Sequence, residues 1–253
     1  MSIILNEKEW AEQMLNGNSL GKHPTETLRC IARYYLDNGY GKVETRLRLE
    51  AFVLRCDPKA SIVGWSETID RALKYAMKTE AVEIESIVIT KHEMEIIDSI
   101  KSKQCRRLAF TLLCLSKYWN IKNKNNSYWV KDSDNEIMKL ANINTSLKRQ
   151  GSLLYTLKEL NLISFNRRVD NTDMYVLFAD EDDEPEMEIT DFRNLGYQYL
   201  MHHGEPFYKC ENCGLTVKYS DPKNKKKQKY CRSCDTEILI QQKVNAVMRY
   251  RNK

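Results

Sequence analysis

Apolar residues recur every three or four positions along most of the chain, and short alternating stretches interrupt them. Between residues 1 and 80, turn-forming glycine, proline and asparagine separate the apolar stripes, which predicts three or four amphipathic helices packed as a small bundle. The third of these helices has Val43, Leu47, Ala51 and Leu54 along its apolar side. The stretch shows no paired carboxylates or His–Cys arrangement at catalytic spacing. It is therefore interpreted as a partner-binding or dimerising domain.

Residues 81–179 form the second predicted domain. β-Branched residues from Val82 to Ile89 predict a short strand or an extended connector, and Thr90 with Glu93 has the spacing of a capping box that opens a helix. The stretch from Arg106 to Trp119 is apolar nearly all round, which is typical of a helix buried in a core.

The stretch from Ser133 to Phe178 predicts two helices followed by a β-hairpin. Ser133 and Glu136 form a second capping-box pair, and Asn142 begins a turn into a longer helix. The apolar side of that longer helix is predicted to hold Leu147, Leu154, Leu157 and Leu160. Asn161 suits its end because asparagine tolerates a positive φ. Strand-like runs at 162–169 and 174–178, joined by Asp-Asn-Thr-Asp, predict the hairpin.

This order of elements, together with the ending Leu157-Lys158-Glu159-Leu160-Asn161-Leu162-Ile163, resembles the winged helix family over about residues 104–178. Asn161 stands where glycine is expected in that family. The resemblance implies that the second helix enters the major groove of DNA while the hairpin touches the backbone. The residues assigned in this way to nucleic acid are Lys148, Arg149 and Ser152 on the helix, and Arg167 and Arg168 on the hairpin. Winged helices also serve as protein interaction modules, and that alternative stays open.

Two Cys-x-x-Cys pairs, Cys210 with Cys213 and Cys231 with Cys234, are separated by seventeen residues. This spacing is typical of a structural zinc site, in which four thiolates close the coordination sphere and leave no position for water. The pattern resembles the zinc ribbon family and predicts one structural Zn²⁺, with an iron–sulfur cluster or a thiol switch as the alternatives. His202 and His203 are not predicted as ligands, because four cysteines suffice. The other cysteines are predicted to be buried packing residues: Cys30, Cys56, Cys105 and Cys114.

Charge is unevenly distributed along the chain, although the net charge is only +5. Residues 180–191 contain eight acidic and no basic residues, which predicts an acidic linker. Residues 209–253 contain twelve Lys or Arg against four Asp or Glu, a surplus that favours a polyanionic partner. Lys225, Lys226 and Lys227 lie between the two cysteine pairs and are predicted to contact phosphate.

These patterns predict a mainly α protein with small β elements, of the α+β class. Its predicted parts are a helical bundle at 1–80, a winged helix domain at 81–179, the acidic linker at 180–191, and a zinc ribbon with a C-terminal basic helix at 192–253. The start of the chain is not a signal peptide and the longest apolar run is too short to span a bilayer, so we expect a cytoplasmic protein without a membrane partner. The sequence offers no activated nucleophile, phosphate-binding glycine loop or open metal site, so we expect no enzymatic activity.

We therefore expect a protein that binds nucleic acid, in particular double-stranded DNA. The combination of predicted domains resembles replication initiators and regulators carried by phages and mobile elements, which implies a role in replication initiation or transcription regulation. The rival hypothesis is a phage-type interaction protein that binds and modulates a host polymerase, nuclease or replication protein. A host replication or transcription protein is accordingly a candidate partner, and the pattern also allows a homodimer.

Overall fold

The computed structural model describes residues 3–124, 127–167, 173–221 and 228–251. Over these ranges the protein is α+β, with many helices and small antiparallel sheets, as the periodicity predicted. The chain divides into two compact units, Met1–Ser86 and Ile87–Lys253. The acidic stretch and the segment with the two Cys-x-x-Cys motifs both fall in the second unit.

The first unit packs four helices of the described chain around one core: α1 (Glu7–Gly17), α2 (Pro24–Asp37), α3 (Lys42–Cys56) and α4 (Ile62–Ala76). Asn6 begins α1 by accepting hydrogen bonds from the backbone amides of Lys8 and Glu9 at 3.1 and 3.0 Å. Pro24 is the first residue of α2. Backbone N–H groups at this position have no partner within the helix, so the missing N–H of proline costs no hydrogen bond. The fully buried members of the core include Leu28, Ile31, Leu49, Phe52 and Ile69.

Helix α3 faces the core with a different side from the one predicted. Its buried residues are Thr45, Leu49, Phe52 and Val53. The predicted apolar side is exposed instead: Val43, Leu47, Ala51 and Leu54. Apolar residues occur on both sides of this helix, so the spacing alone did not decide which side meets the core.

The second unit is built around one long helix. Strand β1 (Ile87–Thr90) and helix α5 (Lys91–Ser99) lead into α6 (Lys103–Asn123), in which every residue from Leu108 to Asn120 is buried. The predicted core helix is thereby confirmed. The elements that follow are β2 (Trp129–Val130), α7 (Asp134–Leu140), α8 (Leu147–Glu159), β3 (Ile163–Phe165), β4 (Met174–Val176), β5 (Pro185–Ile189), α9 (Leu195–His202), β6 (Phe207–Lys209), β7 (Thr216–Lys218) and α10 (Arg232–Arg251). Helices α5, α7, α8 and α9 all pack against α6.

Local signals in the sequence set several boundaries in this unit. Both predicted capping boxes are confirmed, since the amide of Glu93 donates to Thr90 Oγ1 and that of Glu136 to Ser133 Oγ, each at 3.4 Å. Asn161 follows α8 with a φ of 56°, which confirms its predicted place at a helix end.

Three short strands form an antiparallel sheet in the order β2-β4-β3. Ile163 lies opposite Val176 and Phe165 opposite Met174, so the predicted pairing of two strands after α8 is confirmed. Ile163, Val176 and Met174 are buried, which places one face of this sheet against the core. The predicted turn residues 170–172 lie outside the described residues.

The acidic stretch at 180–191, which its composition predicted to be a linker, contains strand β5. This strand pairs antiparallel with β1, with Ile189 opposite Ile87 and Met187 opposite Ile89. Ile87, Ile89 and Ile189 are buried. Acidic and apolar residues alternate along β5 as they do in a half-buried strand, and the high overall charge of the segment hid that alternation.

A buried ion pair joins α5 to α6. Lys117 Nζ lies 2.7 Å from Glu93 Oε2, and their side chains are 4% and 0% exposed. Lys117 also donates to the carbonyl oxygens of Val88 and Asp180 at 2.8 and 3.0 Å. Glu93 accepts from the backbone amides of Thr90 and Asp180 at 2.8 and 2.7 Å. Both charges are therefore fully surrounded by partners, and the pair connects β1, α5, α6 and the chain that follows β4.

Lys117→Met should destabilise the second unit by about 3–5 kcal/mol, because it leaves the Glu93 carboxylate buried without its counter-charge. The measurement is urea-induced unfolding of the full chain, followed by circular dichroism. Lys103→Met serves as the matched control, since Lys103 pairs with Glu205 at the surface with 60% of its own side chain exposed. That control should lose at most about 1 kcal/mol. Equal losses in the two variants would contradict the importance assigned to the buried pair.

Candidate metal centre and nucleic-acid interface

Four cysteine side chains converge at the start of α10. The sulfur atoms of Cys210, Cys213, Cys231 and Cys234 all lie within 4.8 Å of one another, and those of Cys213 and Cys231 are 3.8 Å apart. Three of the four are buried, and Cys213 is partly exposed. Tetrahedral coordination with metal–sulfur bonds of about 2.3 Å places the sulfurs about 3.8 Å apart. The cluster could therefore hold a metal ion.

The backbone around the cluster directs N–H groups at the sulfur atoms. Gly214 has a φ of 72°, which lets the chain reverse directly after Cys213 and enter β7. The amide of Cys231 donates to Cys210 Sγ at 3.2 Å, and Asn212 Nδ2 donates to Cys234 Sγ at 3.3 Å. Such N–H groups stabilise negative charge on sulfur, as a thiolate ligand requires.

Burial and hydrogen bonding make the thiols unequal. Burial opposes ionisation of Cys210, but hydrogen bonds from the backbone of Cys231, Cys213 and Asn212 outweigh it and lower the pKa of this thiol to about 6. At Cys234 the hydrogen bond from Asn212 favours the thiolate, whereas the neighbouring cysteines and burial together raise the pKa of the thiol to about 12. Four thiolates this close repel one another, and a divalent cation would offset the repulsion.

Two residues before α9 tie the cysteine cluster to the rest of the second unit. Arg193 Nη2 donates to the carbonyl oxygen of Cys213 at 2.7 Å. Asn194 Nδ2 donates to the carbonyl oxygen of Thr216 in β7 at 2.9 Å, and Asn194 Oδ1 accepts from Asn142 Nδ2 at 2.9 Å. Asn142 lies in the turn between α7 and α8, so a chain of two amide side chains connects that turn to β7. Strand β7 pairs antiparallel with β6 and forms with it the hairpin of the cysteine cluster.

The first turn of α9 lies very close to the end of α7. A Cβ atom at Gly196 would stand 2.0 Å from the carbonyl oxygen of Ala141, a distance that no side chain can occupy. The next amide, that of Tyr197, donates to Asn142 Oδ1 at 3.1 Å, and Arg107 Nη1 donates to the Asn142 carbonyl at 3.0 Å. The turn that leads into α8 is thus fixed by α6 and α9 together.

The polar side predicted for α8 faces solvent. Lys148, Arg149 and Ser152 are all exposed. The buried residues follow the spacing i, i+3, i+4, i+7 of a helix packed on one side, and they are Gln150, Leu153, Leu154 and Leu157. Leu147 and Leu160 were predicted on this side but are 73% and 49% exposed. The buried side is thus shifted toward Gln150 and Leu153 relative to the predicted one.

The start of α8 is electropositive. Ser146 precedes the helix without a side-chain cap hydrogen bond, and the first turn contains no acidic residue. Lys148 and Arg149 therefore add their charges to the positive end of the helix dipole. In the part of the chain that the structure describes, neither cation takes part in an ion pair.

The remaining residues predicted to contact nucleic acid are only partly covered by the structure. Arg167 follows β3 and is exposed. Arg168 lies outside the described residues, and so do Lys225, Lys226 and Lys227. Helix α10 begins between Cys231 and Cys234, and its residues 241–250 are all exposed.

A cleft of about 490 Å³ beside the turn between α7 and α8 was not found from the sequence. Its polar lining consists of Asn135, Lys139, Asn142, Asn144, Thr145 and Gln150. Tyr197 of α9 completes it. Tyr197 is distant from these residues in the chain, so no spacing rule could have joined it to them.

A group of two aromatic rings and a lysine at the other end of α8 was also not predicted from the sequence. The rings of Tyr155 and Phe165 are 5.4 Å apart, and Lys158 Nζ lies 5.6 and 5.4 Å from their centroids. Tyr155 is 59% exposed. An exposed cation beside aromatic rings is a combination that suits stacked bases and phosphate. The helical spacing of Tyr155 and Lys158 was a signal for this group, but Phe165 reaches it only through the fold.

His202 and His203, which were not predicted as metal ligands, contact carboxylates outside the cysteine cluster. His202 Nε2 lies 3.2 Å from Glu186 Oε1, and His203 Nε2 lies 3.1 Å from Asp98 Oδ1. Among the cysteines predicted to be packing residues, Cys30, Cys105 and Cys114 are buried and Cys56 is partly exposed.

Comparison with protein-family profiles, curated proteins and solved structures finds no match to the chain. The function is therefore inferred from the geometry and chemistry of the sites themselves. Among the helices of the described ranges, none has both the length and the apolar character needed to cross a bilayer.

Gly196→Ala should destabilise the second unit by about 3 kcal/mol, the upper end of the cost of overpacking, because its Cβ would collide with the Ala141 carbonyl. Thermal and urea unfolding of the full chain measure this loss.

Gly151→Ala is the matched control for that substitution. Gly151 lies inside α8, and a Cβ there would meet nothing within 4 Å. Replacing glycine inside a helix with alanine should raise stability by about 0.5–1 kcal/mol. A Gly196→Ala variant as stable as Gly151→Ala would show that α9 does not need this close approach.

Proposed function

We propose that this protein binds double-stranded DNA through the exposed side of α8, with a structural zinc ion in the cysteine cluster. One observation carries the proposal: Lys148 and Arg149 are exposed in the uncapped first turn of a helix whose opposite side is buried. A helix fixed in this way can present its polar side to the major groove, which is wide enough to admit it.

The order of elements around α8 supports a winged helix. Helices α6, α7 and α8 are followed by β3 and β4, and β2 completes the antiparallel sheet. The path after β3 carries Arg167 to the surface beside this sheet, where it would contact the phosphate backbone. Tyr155 and Lys158 extend the same interface toward β3.

Zinc is the metal that fits the donor set. Four thiolates in a closed arrangement select zinc among the common divalent metals, and they leave no open position for catalysis. The sulfur separation of 3.8 Å between Cys213 and Cys231 agrees with such a site. The basic residues of the tail, including Lys225, Lys226 and Lys227, would add phosphate contacts that do not depend on sequence.

The process served by DNA binding is inferred from the resemblance alone. Replication initiation and transcription regulation in a phage or mobile element are the expected settings. Both processes would use a sequence-specific contact with double-stranded DNA at α8 and a sequence-independent contact at the tail.

Replacing Lys148 and Arg149 with alanine should weaken binding to a preferred duplex by at least tenfold, since a groove contact contributes about 1–3 kcal/mol. The duplex is first selected from a randomised pool, and affinity is then measured by fluorescence anisotropy over a salt series. The loss should be much smaller on a random duplex.

The comparison variant carries Lys225→Ala and Lys226→Ala. It should weaken all duplexes alike and lower the salt dependence, because it removes phosphate contacts only. If the wild-type chain bound no duplex at physiological salt, the rival hypothesis of a protein-binding factor would be favoured over DNA binding.

Purified protein should contain one zinc ion per chain, measured by inductively coupled plasma mass spectrometry. Cys231→Ser should lose it, because an alcohol is a poor substitute for a thiolate ligand. Cys56→Ser should retain it, since Cys56 lies in α3 of the first unit. Iron in place of zinc, or full zinc content in Cys231→Ser, would contradict the assignment.

A further inference from the structure

The first unit exposes the apolar stripe of α3. Val43, Leu47 and Leu54 are 73%, 58% and 40% exposed, and Ala51 between them is exposed as well. Their spacing of four, four and three residues keeps them on one side of the helix, away from the side that carries Leu49 into the core. Soluble proteins rarely leave such a row of apolar side chains on the surface unless another surface covers it.

The stripe sits on a rigid support. Helix α3 contacts both α2 and α4, and Phe52 and Val53 on its inner side are fully buried. The apolar side chains are therefore presented in a fixed arrangement, so binding at the stripe would not have to order the helix first.

Charged residues border the stripe with opposite signs at its two ends. Glu44 lies in the first turn of α3 and Arg55 in its last, and both are exposed on the same flank. They are eleven positions apart, which is about three helical turns. Arg48 Nη2 donates to Glu44 Oε1 at 2.9 Å, and Arg55 Nε donates to Asn18 Oδ1 at 3.3 Å. Glu44 is thus already paired with Arg48 through one carboxylate oxygen at the start of this flank, and Arg55 places a positive charge at its end.

We propose that the stripe is the contact surface between two copies of this chain, with the two α3 helices antiparallel about a twofold axis. In that arrangement the same flank of each helix meets, so Glu44 of one copy faces Arg55 of the other, twice by symmetry. Val43 packs beside the partner's Leu54, and Leu47 beside the partner's Ala51. The apolar residues are therefore self-complementary, and so is the pair formed by Glu44 and Arg55.

The contact is small. Two helices of 15 residues bury less than the roughly 1,200 Å² of a stable protein interface, so we expect dissociation in the micromolar range. The proposal rests on Met1–Ser86 and does not depend on DNA binding.

Sedimentation equilibrium of the full chain, under reducing conditions and over a micromolar concentration series, tests the proposal. The wild type should show a monomer–dimer equilibrium. Leu47→Glu should weaken the dimer by about a hundredfold, because it places a charge in the centre of the apolar contact. Leu160→Glu is the matched control, since Leu160 is 49% exposed in the other unit, and it should dimerise like the wild type.

Charge exchange tests the antiparallel arrangement. Arg55→Glu should weaken the dimer several-fold, because each new carboxylate faces Glu44 of the other copy. Adding Glu44→Arg to it should restore the affinity, and high salt should reduce the difference between these variants. Circular dichroism checks that every variant remains helical.

A wild-type chain that stays monomeric throughout the series would overturn the proposal, and so would a Leu47→Glu chain that dimerises normally. Failure of the double exchange to restore affinity would reject the antiparallel pairing. If the stripe instead binds a different protein, the purified wild-type chain should stay monomeric.

Discussion

The second unit depends on the buried ion pair between Lys117 of α6 and Glu93 of α5. Two charges removed from water are costly, and their mutual attraction alone rarely compensates for the lost hydration. Here backbone groups of β1 and of the chain after β4 supply the remaining hydrogen bonds. The positions of these segments together satisfy both charges. The pair is therefore a constraint on geometry, and the hydrophobic surface of α6 supplies most of the stability.

The positions of α8 and of the cysteine cluster depend on the core around α6. Helix α6 supports α7, α8 and α9, and the close approach at Gly196 fixes how α9 meets the end of α7. The amide side chains of Asn142 and Asn194 then connect the start of α8 to the hairpin of the cysteine cluster. The cysteine cluster is thus packed into the same unit as α8, and it is not an appendage on a flexible tether.

The sequence predicted what local chemistry decides. Capping boxes at Thr90 and Ser133, the left-handed Asn161, and the convergence of two Cys-x-x-Cys pairs all follow from residues close together in the chain. It failed where a choice depends on distant partners. Periodicity could not tell which of two apolar sides of α3 meets the core. The high charge of residues 180–191 concealed β5, and its partner strand β1 lies far away in the chain, at Ile87–Thr90. The cleft with Tyr197 could not be predicted either, because Tyr197 lies far along the chain from the other residues that line it.

The pairing of β5 with β1 also determines where the chain can be divided. A fragment that stops before residue 185 removes the partner strand of β1 and leaves both edges of β1 unpaired in the described structure. Such an edge recruits strands from other chains and promotes aggregation. A portable piece that contains α8 therefore begins at β1 and continues through β5 and α9, because α9 packs against α6 and holds the turn before α8. Recombination between related genes would preserve folding only if both crossover points lay outside that interval.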